Sequence, residues 1–414
     1  MYNKKRVRQN GCFDVSSFPF TNMYDSMKKI IIAIDSFKGS LSSAEIANAV
    51  EKGLLSVFPS CEILKIPIAD GGEGTVEALV QATQGKYIQV EVNNPLMQPV
   101  QATYGILGNS TTAVIEMSAA SGLTLVPWKE GLVMETTTYG TGELIRHAIE
   151  QGCREFIIGI GGSATNDAGI GMLTALGFRF LNAEGKEVAP TGSGLKQIVS
   201  IDCTGQMPEL QDCRFHILTD VKNPFCGKEG AAYIFAPQKG ATPKQVELLD
   251  EGLEHIATLL STFYKQSINK VAGAGAGGGI AGGCLAMLNA EIEPGIEVIK
   301  QQLHFDEQIE GADLILTGEG KVDGQTMQGK VVSGVLTSAH RQMIPVVVLT
   351  GNCADAQTEP LYALGMTAIF SIHPAPISLK KALEPNYTAT QLTKIAEQIA
   401  RLSKINKFFE KKSA

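Results

Sequence analysis

A chain of 414 residues is long enough for two domains and a large core. Its composition, 44% hydrophobic and 19% charged, is that of an ordinary globular enzyme, and no apolar stretch approaches the roughly 20 residues that span a bilayer. A net charge of −7, with no basic stripe beyond the extreme N-terminus, argues against nucleic acid as a partner.

The first residues are basic but lack the apolar segment of a secretory signal. Residues 1–27 read as an extension without periodicity or caps, and Met27, just before "KKIIIAIDSFK", is a better start than Met1. The eight cysteines form no C-x-x-C pair and the histidines no H-E-x-x-H, which points to reduced thiols in a cytoplasmic protein and away from zinc.

Along the chain, apolar runs bounded by turn residues fall at 28–35, 61–70, 155–162, 214–220, 312–319 and 344–352. Uninterrupted runs of this length predict strands buried on both faces, as in parallel sheets. Residues 42–58 predict a helix: serines open it, Glu45 follows, and apolar residues recur at helical spacing. Two further helical stretches, "DGGEGTVEALVQATQG" and "TGELIRHAIEQG", end in glycine. Residues 86–117 alternate with period two around Pro and Asn breaks, predicting antiparallel strands.

The expected architecture is therefore α/β with two domains: a discontinuous domain with a parallel sheet, 28–88 plus 270–405, and an inserted mixed-sheet α/β domain, 89–269. The stretch "AGAGAGGGIAGG" (272–283) looks too rich in glycine for a packed helix and is expected to bound the insert.

Four of the apolar runs end in an acid: Asp35, Asp70, Asp220 and Glu319. In open α/β sheets ligands bind beyond the carboxyl ends of strands, and carboxylates gathered there repel one another unless a cation or a proton transfer accounts for them. One such acid alone would be read as a helix cap. The loops that follow supply further parts. "DSFKGS" offers Asp35, Ser36, Lys38 and Gly39; "DGGEGT" offers Asp70, Gly71, Gly72 and Glu73. "GGSATNDAG" offers Gly161, Gly162, Ser163, Thr165, Asn166 and Asp167, and "TGEGKVDGQT" offers Glu319, Lys321 and Asp323. Glycine turns present N–H groups to oxyanions, and hard oxygens hold Mg²⁺, so the set suits phosphoryl transfer. The expected division makes Asp220 the catalytic base, with Lys38 and Asp35 also catalytic. Asp70 and Glu319 are assigned to the metal, and the remaining loop residues other than Asp167 to substrate or nucleotide.

Two motifs compete. "GQTMQGKV" (324–331) fits G-x-x-x-x-G-K, but Val331 stands where a Walker loop carries the Mg²⁺-binding hydroxyl. Gly159-x-Gly161-x-x-Ala164, with Glu184 downstream, imitates a dinucleotide fingerprint and would make the protein an NAD-dependent hydroxy-acid dehydrogenase. A third reading is a non-catalytic ligand-binding protein with a two-domain cleft, against which the carboxylate set weighs.

The strings "IAIDSFKGSLSS", "IADGGEGT", "GIGGSATNDAG", "LTDVKNP", "PQKGA" and "TGEGKVDGQT" resemble the bacterial type I glycerate kinases, in order over about residues 28–401. That resemblance implies two α/β domains, one of them flavodoxin-like, with the site between them. It also implies ATP and Mg²⁺ as cofactors and D-glycerate as the small-molecule substrate, phosphorylated to 2-phosphoglycerate. Val332 stands where many relatives carry proline. The oligomeric state stays open, a homodimer included. The glycines of 159–171 are expected to let a loop and a helix N-terminus approach an anionic group.

Overall fold

The computed structural model describes residues 27–324, 326, 330–353 and 358–404; the expectation for residues 1–26 lies outside them. The strands, in chain order, are β1 (Lys29–Ile34), β2 (Glu62–Lys65), β3 (Lys86–Asn93), β4 (Pro99–Ile106), β5 (Thr112–Glu116), β6 (Glu155–Gly159), β7 (Arg179–Leu181), β8 (Ser200–Asp202), β9 (Arg214–Leu218), β10 (Glu291–Glu293), β11 (Leu314–Val322), β12 (Val346–Cys353) and β13 (Met366–Ser371). The helices used below are α1 (Ser43–Leu55), α2 (Thr75–Ala82), α3 (Tyr139–Glu150), α4 (Ile170–Ala175), α5 (Pro243–Tyr264), α6 (Ile280–Leu288), α7 (Gly295–Gln302), α8 (Val331–Arg341) and α9 (Pro385–Ser403).

One sheet has the order β13-β12-β11-β1-β2, and all its pairs are parallel. This is the flavodoxin-like arrangement, and the strand order reverses between β1 and β11. The run "KIIIAI" forms β1 because a strand covered on both faces must be apolar throughout; Ile30 to Ala33 have no exposed surface. The second sheet has the order β10-β9-β6-β5-β4-β3. There β3, β4 and β5 pair antiparallel, as their alternation predicts, while β5, β6, β9 and β10 run parallel.

Helix α1 starts where serine and glutamate cap it reciprocally. Ser42 Oγ accepts from the Glu45 N–H at 3.4 Å, and Glu45 Oε2 accepts from the Ser42 N–H at 2.9 Å. Its Ile46, Val50 and Leu54 pack with Leu392, Ala396 and Ile399 of α9 on the outer face of the first sheet. The far face of the second sheet carries α3 to α6. Between the sheets lies one shared layer. Residues of α2, α7 and α8 cluster with Ile31 and Ala33 of the first sheet and with Val114, Ile157 and Leu218 at the second. No helix among the described residues is long and apolar enough to cross a membrane.

Three expectations are corrected. The 61–70 run is strand only over Glu62–Lys65, so Asp70 stands in the loop beyond it. Strand β11 continues to Val322, so Glu319 lies inside the strand, opposite Thr350 of β12, rather than at its end. The 272–283 stretch does contribute to a packed helix. A Cβ at Gly282 would lie 2.4 Å from the Phe225 ring, and one at Gly283 2.2 Å from the Ala168 carbonyl. Glycine is what allows α6 to pack so closely. The chain after it forms β10, which pairs with β9 in the second sheet.

Candidate active site

The acids gather where strand order reverses. Asp35 follows β1 directly and is 4% exposed; Glu319, on neighbouring β11, is 6% exposed. One Asp35 oxygen accepts from the Ser36 N–H at 2.7 Å. Asp70 accepts from the Gly72 N–H at 3.0 Å and stands 3.9 Å from the Lys38 ammonium. Glu319 accepts from the Thr326 hydroxyl at 2.6 Å and lies 3.9 Å from the Lys330 ammonium.

Burial is the main reason these carboxylates hold protons more tightly than usual, and mutual repulsion adds to it. Burial and the Asp70 carboxylate hold Asp35 well above the usual carboxylate range, against the pull of Lys38. Glu319 is raised by burial, with Thr326 and Lys330 opposing. Asp220, reached through β9 of the second sheet, is pushed up to about 7 by burial and then by Asp70, while the Gly295 N–H, Lys330 and Lys38 oppose the rise. Its Oδ1 is buried and has no hydrogen-bond partner among the described residues. Asp70 is thus felt by the other three acids, which come from both sheets.

Asp35, Ser36, Lys38, Asp70, Glu319, Lys321 and Asp323 line one cavity of about 950 Å³. The Lys321 ammonium pairs with Asp323 at 2.9 Å. Gly39 takes the left-handed turn after β1 (φ 77°), and exposed Glu73 shares a neighbouring opening with it, Ser36 and Lys38. Loop 70–72 is pressed against the second sheet: a Cβ on Gly71 would lie 2.9 Å from both Gly295 Cα and Leu218 Cβ. Gly161 and Gly162 are exposed, and the Cβ position of Gly161 is 3.8 Å from Gly72 Cα.

The rest of the 159–171 loop departs from expectation. Helix α4 begins only at Ile170 and has six residues, so it offers no long dipole to an anion. Gly159 is required because a Cβ there would lie 2.4 Å from the Gly71 carbonyl; at Gly171 it would lie 2.1 Å from Thr137 Oγ1. These glycines serve close approach within the fold. Thr165 and Asn166 are wholly buried, and among the described residues neither the Thr165 hydroxyl nor the Asn166 amide has a hydrogen-bond partner. Ser163 turns inward to accept from Lys239 at 2.8 Å, and the same ammonium donates to the Thr165 carbonyl at 2.6 Å. Burial pushes Lys239 down to about 7, and the Asp167 carboxylate opposes that fall.

Residues 30–404 match the model of the glycerate kinase family. A glycerate kinase of Bacillus subtilis (strain 168) is 43% identical over 379 residues, 92% of this chain and 98% of that protein. The chain belongs to the glycerate kinase family. A glycerate 2-kinase of Escherichia coli (strain K12) is also 43% identical, over 87% of this chain and 94% of its own length. Among solved structures, a crystal structure of a glycerate kinase 2 from Salmonella typhimurium LT2 superimposes with a TM-score of 0.83 at 43% identity, covering 92% of this chain and all of that one.

Within this glycerate kinase family member the dinucleotide reading finds no support. Ala164 is buried and six residues short of α4, whereas a dinucleotide loop opens directly into its helix. Glu184 sits in the turn after β7, which pairs with β8 in a two-stranded ribbon and belongs to neither larger sheet. Three site residues escaped the sequence reading. Thr326 accepts from the Asp323 N–H at 3.0 Å and donates to Glu319, so it joins those acids. Lys330, set aside with the Walker-like run, caps α8 and faces Glu319. Glu116, at the end of β5, accepts from the Gly74 and Val76 N–H groups and fixes the start of α2. Its signal was available, since it too is an acid closing an apolar run.

Proposed function

We propose that this chain phosphorylates D-glycerate at the expense of ATP, with Mg²⁺, giving 2-phosphoglycerate. The observation that carries the reading is the convergence of Asp35, Asp70 and Glu319 with Lys38 and Lys330 in one cavity at the reversal of strand order. Asp220, beyond β9 of the second sheet, is outside that cavity's lining, but its pKa is raised by burial and then by the charge of Asp70. Names of relatives in the family agree with it. The donor set fits a hard cation: the acids are all oxygen ligands, and Asp35 and Glu319 are buried with one short neutral donor each, the Ser36 N–H and the Thr326 hydroxyl, while the Lys330 ammonium stays 3.9 Å from Glu319. Asp70 and Glu319, with Asp35 alongside, would hold Mg²⁺, which neutralises phosphate oxygens as charge develops.

The chain's own residues do the rest. Lys38, half exposed and reaching into the cavity, places a positive charge by the transferring phosphoryl group. Asp220 takes the proton of the attacking hydroxyl. Gly72, Gly161 and Gly162 leave room for the small acid's carboxylate beside it. The purified chain should consume ATP only when D-glycerate is present, and EDTA should abolish that consumption. Equal turnover in EDTA removes the Mg²⁺ role, and no glycerate dependence removes the reading.

Lys38→Ala should cost about 2.7–4 kcal/mol of transition-state stabilisation, a drop in kcat of about 10²–10³. Its melting temperature should stay near the parent's, since the side chain is 53% exposed and its one ion pair is loose. Turnover within a few-fold of the parent would make Lys38 an ordinary surface lysine.

A further inference from the structure

The cavity has two unlike sides. Asp35, Asp70, Glu319 and the lysines form one; the segment after β13 forms the other. On that second side stand Ile372, Pro374, Pro376, Ile377, Leu379 and Leu383. Leu379 is 74% exposed, Leu383 38% and Ile377 36%, so three large apolar side chains face solvent together. Isolated exposed apolar residues are ordinary, but a cluster rimmed by charge marks a binding face. This wall also touches the catalytic turn: Leu383 Cδ2 lies 3.7 Å from the Cβ position of Gly39.

Size and charge identify the occupant. A cavity of about 950 Å³ is at the top of the roughly 300–1,000 Å³ range for drug-sized ligands, and a three-carbon acid would leave most of it empty. Lys38, Lys321 and Lys330 line it on the side of the acids, where they match a polyanionic chain. A molecule with a flat, largely apolar body and a polyphosphate tail fits this sequence of surfaces. On the Asp70 side lie Gly72 and Gly161, the Cβ position of Gly161 being 3.8 Å from Gly72 Cα.

We propose that the Ile372–Leu383 wall receives the nucleoside part of the phosphoryl donor, with its phosphates running over Lys38, Lys321 and Lys330, and that the hydroxy acid enters from the glycine-lined side near Asp220. This assignment rests on the phosphoryl-transfer reading above and adds an orientation to it.

The test compares two probes, Mg²⁺–ATP and Mg²⁺–tripolyphosphate, by calorimetric titration of the full chain and of the double variant Leu379→Ser, Leu383→Ser. Both side chains are partly exposed, so the variant should melt near the parent temperature. Expected is a five- to twentyfold weaker binding of ATP by the variant, with tripolyphosphate affinity and the KM for glycerate within twofold of the parent. Equal ATP affinity in parent and variant overturns the proposal. So does parallel loss of ATP and tripolyphosphate affinity, which would place the effect at the phosphates. If the parent binds neither probe, the phosphoryl-transfer reading itself falls, and this orientation with it.

Discussion

Asp220→Asn should bind D-glycerate and Mg²⁺–ATP at near-parental affinity while single-turnover phosphoryl transfer falls by roughly 10²–10⁴-fold. Asparagine keeps the shape of the side chain and can still meet the Gly295 N–H, but it cannot take a proton. The pH profile provides a second readout. With Asp220 pushed up to about 7, the parent's rate should rise as pH passes upward through 7 or somewhat below, because a bound cation lowers the pKa, and the variant should lose that limb. Stability should move the opposite way. Asp220 holds its proton up to about 7 when folded but only to about 3.9 when unfolded. Between those values the folded state binds more protons, so this group's stabilising share is present at low pH and is lost as pH rises through 7. Removing an ionised buried carboxylate should therefore raise the melting temperature at pH 8. A variant with parental single-turnover rates would return Asp220 to a structural role and shift the base to another of the acids.

Asp167→Ala should lose about 3–5 kcal/mol of stability, enough to lower the melting temperature by several degrees. The carboxylate is fully buried, and burial pushes its pKa up against the four donors that hold it. It accepts from the Thr138 N–H and hydroxyl, both at 2.8 Å, and from the Gly169 and Gly171 N–H groups at 3.2 and 3.3 Å. It thereby ties the start of α3 to the start of α4. Alanine would leave three backbone N–H groups without partners in a dry interior, each costing about 1–3 kcal/mol. Asp167→Asn, which retains one accepting oxygen, should lose less. Denaturant titration of both variants checks this; a loss under about 1 kcal/mol for alanine would mean that water or relaxation satisfies the donors.

How much of this was legible in the sequence varies with the range of the interaction. Helix α1 was legible because Ser42 and Glu45 act on each other three residues apart. The parallel strands were legible because burial on both faces leaves uninterrupted apolar runs, and the acids Asp35 and Asp220 because they close such runs. The inward turn of the 163–166 loop was not legible. Ser163, Thr165 and Asn166 look alike in sequence whether they face a ligand or the interior, and the group that Ser163 and the Thr165 carbonyl meet is Lys239, 74 residues from Thr165. The glycines at 159, 171, 282 and 283 posed the same ambiguity. Each is needed at a close contact, but the partners, Gly71, Thr137, Phe225 and Ala168, are brought there only by the tertiary fold.

The position of β1 between β2 and β11 also governs the order in which the molecule can be made. The Lys29 N–H bonds the carboxylate of Asp313, 284 residues further on, and Ile30 pairs with Leu314. At about 5–20 residues per second, a ribosome needs roughly 15–60 s to supply β11 after β1 has emerged. Through that interval "KIIIAI" has only the four residues of β2 as a sheet partner, while β3, β4, β5, β6 and β9 appear and can pair with one another. The second sheet can thus assemble first and offer Val114, Ile157 and Leu218 as a surface on which the first is later laid down. Meanwhile the most apolar strand of the protein is the one left waiting, the segment a nascent-chain chaperone would be expected to cover.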